Sequence, residues 1–114
     1  MVKKWNIYWT ALNPVSGHEQ AGTRPCLVVS NDIVNEILPV ITVLPLSSYK
    51  TGSRIYPTEA FIPKDLSGLP QDSVAMAHQI RTITKARIGK QCGLISDNTL
   101  KNNLNDVLRA YFEI

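Results

Sequence analysis

The sequence predicts a mainly β fold, a small barrel of short strands with one helix packed against its side. Three observations predict it. Short apolar runs rich in valine, isoleucine and threonine recur through most of the chain, cut apart by Pro, Gly, Asn and Asp. Leu100, Leu104, Val107, Leu108 and Tyr111 then change to helical spacing. Finally, 114 residues can enclose one core and are too few for two, so a single domain over residues 1–114 is expected.

Trp5 to Leu12 mixes aromatic and β-branched residues and predicts the first strand, closed by Asn13-Pro14. The loop to about Thr23 exceeds a normal hairpin connection and is expected to be floppy or functional. Arg24 to Ser30 is the second strand, and the unbroken Leu27-Val28-Val29 suits burial on both faces. Asn31 then caps one or two helical turns through Ile37. Val40 to Leu46 is a third strand, where Pro45 suggests an edge or a bulge.

Ser47 to Tyr56 reads as a second polar loop, Thr58 to Ile62 as a short strand ended by Pro63, and Lys64 to Asp72 as a turn-rich connection. Ser73 to Thr82 is expected to be one strand, with Val74, Met76, His78, Ile80 and Thr82 on one face and Ala75, Ala77, Gln79 and Arg81 on the other. Ile88 to Leu94 predicts the last strand. Ser96 is expected to cap the helix from Asp97 to Tyr111.

A hydrophobic fraction of 44% and a charged fraction of 18% describe a globular chain. No run approaches the roughly 20 apolar residues of a membrane span, and Met1-Val2-Lys3-Lys4 leads into a strand instead of a signal segment. A cytoplasmic protein without membrane contact is therefore expected. Cys26 and Cys92 lack paired spacing and read as small buried hydrophobes. The net charge of +3 is unevenly spread: Arg81, Lys85, Arg87 and Lys90 fall in an interval, 73–96, with no acidic residue. Such a block is either a solvated face or the footprint of a polyanion site.

Chemistry concentrates in Gly17-His18-Glu19-Gln20-Ala21-Gly22-Thr23-Arg24-Pro25. Pro25 restricts Arg24 to an extended backbone, which sets a guanidinium on a rigid stem beside a polar loop. This stretch resembles the opening motif of the MazF/PemK toxin endoribonucleases. The resemblance extends over nearly the whole chain, through Tyr8-Trp9-Thr10-Ala11-Leu12-Asn13-Pro14, Val28-Val29-Ser30-Asn31-Asp32, Pro45-Leu46-Ser47-Ser48 and Gln79-Ile80-Arg81-Thr82-Ile83. It implies an SH3-like barrel of the MazF/CcdB toxin type, acting as a homodimer on single-stranded RNA and silenced by an acidic antitoxin.

The residues themselves offer no His, Cys or carboxylate cluster at metal-ligand spacing and no Gly-x-Ser-x-Gly element, so neither a metal nor another cofactor is implied. RNA carries its own nucleophile, the 2′-hydroxyl. An enzyme need only take that proton, steady the phosphorane and protonate the leaving oxygen. Arg24 is the expected cationic fork, with pairing to Glu19 as its structural alternative. Ser47 matches a family position whose hydroxyl contacts the reacting phosphate. His18 is the proton-transfer candidate in the loop, or a surface histidine without a role. Glu19 and Gln20 order the loop or read bases. Ser48 and Lys50 on the second loop, with Gln79 and Arg81 on one strand face, are expected to contact RNA or to face solvent.

The chain departs from the PemK pattern at Met76 and His78, where that pattern has an arginine and an aspartate, and at Thr84, where it has an aspartate. Methionine cannot bind phosphate. His78 takes a base or acid role, or is an inert substitution. The expected function is a metal-independent, sequence-specific endoribonuclease toxin; the alternatives are a CcdB-like gyrase poison and a non-catalytic RNA-binding module.

Overall fold

The computed structural model describes residues 1–114. Seven strands, β1 (Asn6–Ala11), β2 (Thr23–Val28), β3 (Val40–Ser48), β4 (Glu59–Ile62), β5 (Ser73–Met76), β6 (Arg81–Thr84) and β7 (Ile88–Leu94), accompany helices α1 (Asp32–Ile37), α2 (Lys64–Ser67) and α3 (Asn98–Phe112). The order is β4-β5-β3-β2-β1-β7, with β6 also on β3, and every pairing is antiparallel.

Alternation along the central strands fills two cores. Ile7, Leu27, Leu44 and Leu46 join Ile62 and the α3 residues Leu100, Leu104 and Val107 in the larger one. Tyr8, Cys26, Val28, Ile41, Val43 and Ile83 fill the second. Leu27 and Val28 thus serve opposite cores, which is why the second strand shows no polar alternation. Asn31 caps α1 as expected, its side chain accepting from Ile33 N–H at 2.7 Å.

The strand expected over 73–82 is broken. Continuing the β5 register would set Arg81 opposite Val40, yet Arg81 lies opposite Val43, and the three extra residues form a 3-10 turn at Ala77–Gln79. One long strand cannot pair with both ends of β3 while β3 bends between its two halves. His78 and Gln79 therefore lie in a turn, and Gln79 and Arg81 do not share a strand face. Pro45 marks the same bend, but in a central strand, not an edge. Thr42 turns both its N–H and its carbonyl toward the β2 side, bonding Ser30 and Val29. By alternation the Pro45 nitrogen faces the gap between β6 and β5, where no ladder bond is lost.

Smaller differences have local causes. Asp97, not Ser96, caps α3, because its carboxylate reaches Leu100 N–H at 2.9 Å. The connection after Pro63 contains α2, and a second 3-10 turn, Lys85–Arg87, joins β6 to β7. The sheet ends β4 and β7 do not hydrogen-bond to each other. Instead α2, following β4, packs on β7: the Ser67 carbonyl would lie 2.6 Å from a Cβ at Gly93. That approach brings the two rims of the bent sheet together. No helix is long and apolar enough to cross a membrane.

Candidate active site

Arg24 is the second residue of β2 and lies opposite Thr10 of β1. Its Nε donates to the Ala21 carbonyl at 3.0 Å, while its two terminal nitrogens have no protein partner. Glu19 does not pair with it. The Glu19 carboxylate instead accepts from the Ser16 N–H at 3.2 Å and hydroxyl at 3.3 Å, and the sole salt bridge is Arg109–Asp106 on α3. One edge of the guanidinium is thus anchored and the other left open. This is the arrangement that two phosphate oxygens require.

Ser47 comes to Arg24 through sheet register. Cys26 pairs with Pro45, and continuing that pairing by two residues sets Ser47 opposite Arg24. Together with Thr23, Ser48 and Ser73 they line a cleft of about 250 Å³. Ser47 and Ser48 continue into a second depression of about 220 Å³, lined by Lys50 and Arg54, the Glu59 carboxylate and Met76. The structure therefore brings Arg24, Ser47, Ser48 and Lys50 to one continuous surface. Met76 is buried and supplies the apolar floor of its cationic half. Arg54 stacks over Tyr56, 4.8 Å from the ring centroid, which stiffens a long side chain.

The remaining candidates lie elsewhere. His18 is exposed on the β1–β2 loop and does not line the cleft. His78 is exposed on the 3-10 turn, its Nδ1 3.2 Å from the Thr58 hydroxyl, and does not line it either. Gln79 pins the loop: its carboxamide accepts from Gln20 N–H at 3.1 Å and donates to the His18 carbonyl at 3.0 Å. Gln20 is half-buried, with a side-chain oxygen that finds no partner. Gln79, expected to contact RNA or face solvent, and the backbone of Gln20, expected to order the loop or read bases, are thus part of the loop's anchorage.

The basic interval is likewise partly structural. Arg81 donates to the Leu12 carbonyl at 3.0 Å; Arg87 donates to the carbonyls of Ala11, at 3.2 Å, and Asn13. The Asn13 side chain accepts from Gly22 N–H at 3.1 Å and closes the base of the loop. Two of the four cations therefore hold the end of β1. Only Lys85 and Lys90 remain without such a role, Lys85 reaching the Glu36 carbonyl at 3.5 Å.

Cys26 sits behind Arg24 in the second core. Burial pushes its thiol up to about 11, although the Thr10 hydrogen bond and the charges of Arg81 and Arg24 oppose this. It stays protonated near neutrality and is no nucleophile. No three His, Cys, Asp or Glu side chains converge at a point able to hold a metal ion. Sequence reasoning did not find Thr23, Ser73 and Arg54 in the site. Ser73 enters because β5 pairs it with Ser48, a register that no local pattern encodes.

The family model of the PemK-like, MazF-like toxins of type II toxin–antitoxin systems matches residues 3–112. The chain belongs to this family. Among its relatives, the Endoribonuclease MazF of Staphylococcus saprophyticus is 34% identical over 109 residues, covering 94% of this chain and 90% of that protein. The toxin chain also resembles the crystal structure of MazF from Deinococcus radiodurans, with a TM-score of 0.81 at 24% identity over 99% of this chain and 97% of that one. An endoribonuclease of mycobacterial species, solved in complex with its cognate antitoxin, superposes with a TM-score of 0.78 at 22% identity over 100% of this chain and 97% of that one. At these identities the two structures show a shared fold: a mainly β sheet with a C-terminal helix.

Proposed function

We infer that the chain is a toxin that cuts single-stranded RNA as a metal-independent endoribonuclease, with one domain over residues 1–114. The half-open Arg24 guanidinium opposite the Ser47 hydroxyl carries this reading. In the reaction the 2′-oxygen loses its proton and bonds to phosphorus, while the bond from phosphorus to the 5′-oxygen breaks and that oxygen gains a proton. Arg24 holds two non-bridging oxygens, where charge grows in the phosphorane, and Ser47 donates to the same phosphate. Of the two histidines, His18 is the better placed for proton transfer, since it rides on the loop whose Ala21 carbonyl anchors Arg24. Lys50 and Arg54 take up flanking phosphates.

This reading includes homodimerisation, a cytoplasmic location where RNA is the substrate, and inhibition by an acidic antitoxin segment. Support for the last is the complex of the mycobacterial relative with its cognate antitoxin. The test is incubation of purified protein with a long RNA in EDTA. The expected fragments carry 2′,3′-cyclic phosphate and 5′-hydroxyl ends, and DNA of the same sequence stays whole. Arg24→Ala should slow cutting by at least about a hundredfold, the scale of a lost preorganised donor, with thermal stability nearly unchanged. Fragments with 5′-phosphates, or loss of cutting in EDTA, overturn the mechanism. RNA binding without cutting would make the chain a non-catalytic module, and neither would turn attention to a protein target.

A further inference from the structure

A third depression, of about 370 Å³, adjoins the Arg24 cleft, sharing Pro25, Ser48 and Ser73 with it. Its walls are the Trp9 indole, Pro25, Leu69 and Pro70. Trp9 lies on the same face of β1 as Ile7, one step beyond the larger core, and is 44% exposed where Ile7 is fully buried. A large aromatic ring left half in water at the mouth of a cleft is surface without a partner. Ser48, Ser73, Gln71 and the Cys92 thiol complete this depression, and no charged residue lines it. Gln71 is exposed, and its carboxamide donor and acceptor are both unengaged.

We propose that this pocket receives the nucleobase of a nucleotide flanking the scissile phosphate, stacked on Trp9 and read along its polar edge by Gln71. The proposal rests on the ribonuclease reading above and adds a base subsite to it. Three features select the occupant. Direct continuity with the Arg24 cleft suits a base that hangs from the sugar next to the bound phosphate. A slot without charged residues suits a flat neutral ring, whereas the depression beyond Ser47, with Lys50 and Arg54 outnumbering Glu59, suits the backbone of the following nucleotides. A carboxamide offers the donor and acceptor that a base edge matches.

The chain has two tryptophans, so Trp5→Phe leaves Trp9 as the sole indole reporter. Titration of that variant with a mixed-sequence, uncuttable 2′-fluoro RNA is expected to quench its fluorescence through stacking. Trp9→Ala is expected to lose about tenfold to a hundredfold in RNA affinity and in kcat/KM, with Trp9→Phe retaining most of both. At a mapped cut site in wild-type substrate, one abasic flanking position should reproduce the loss, which keeps the test valid should Trp9→Ala not fold. Unquenched fluorescence, or folded Trp9→Ala cutting at the wild-type rate with no sensitive abasic position, overturns the subsite while leaving the ribonuclease reading intact. Quenching without cutting supports base binding and overturns only the catalytic reading. Normal cutting by Trp9→Ala together with lost inhibition by an antitoxin peptide would assign the pocket to the inhibitor and overturn the base.

Discussion

Gln79 grips the backbone on both sides of Glu19, accepting from the Gln20 N–H and donating to the His18 carbonyl, across about sixty residues of sequence. A primary amide suits this pair of contacts, having one donor end and one acceptor end. Gln79→Ala should free the loop and, through the Ala21 carbonyl, loosen Arg24. The expected loss is at least about tenfold in kcat for roughly 1 kcal/mol or less of stability, since both bonds are partly exposed. Gln79→Glu should do no better, because a carboxylate faces the His18 carbonyl without a proton to give. Hydrogen exchange at the Gln20 amide measures the cause: protection unchanged in Gln79→Ala would end the argument.

The two histidines should separate in single-turnover cleavage rates. His18→Asn is expected to lose at least about tenfold in rate. His78→Asn is expected to cut within about threefold of wild type, because its imidazole meets the Thr58 hydroxyl on a turn that has no bond to Arg24 or to the loop carbonyl that anchors it. The reverse pattern would move proton transfer to His78 and require the 3-10 turn to approach the substrate.

Gly93→Ala should destabilise the fold by about 1–3 kcal/mol, the usual scale of overpacking. Its new methyl would meet the Ser67 carbonyl at 2.6 Å and Ile7 Cδ1 at 3.1 Å, and backbone can yield only by moving α2 off β7. Chemical denaturation checks this. An unchanged midpoint would mean that α2 does not hold the rims together.

Cys26 should make the fold sensitive to alkali. Its folded value of about 11 lies above its ordinary 9.0, so the native state holds the thiol proton more tightly. The resulting stability is fully present below about pH 9 and is lost as pH rises through about 11, an effect on the order of 2–3 kcal/mol. Cys26→Ala removes a methyl-sized volume at every pH but should flatten this slope. Parallel stability curves for the two proteins between pH 8 and 11 would refute the assignment.

Local patterns in the sequence determined a good deal by themselves. Alternating and β-branched runs placed β1, β2, β3, β4 and β7 and joined β5 to β6 as one strand, because the side-chain period of two is a property of neighbouring residues. Asn31 and the 3.6-residue spacing from Leu100 to Tyr111 fixed helices for the same reason, and Pro25 set Arg24 on an extended stem whatever lay around it. Tertiary structure alone decided the rest. The break at Ala77–Gln79 follows from a register shift along β3; the residues on either side carry an unbroken strand alternation. Arg81 and Arg87 became struts, and Gln79 a clasp, by bonding to backbone 59 to 76 residues away. Ser73 reached the Arg24 cleft, and Trp9 the depression beside it, only because β5 lies on β3 and β1 on β2. Such partners are chosen by which strands pair and how far they slide, and that choice is made by burial of the two cores together, not by any window of the chain.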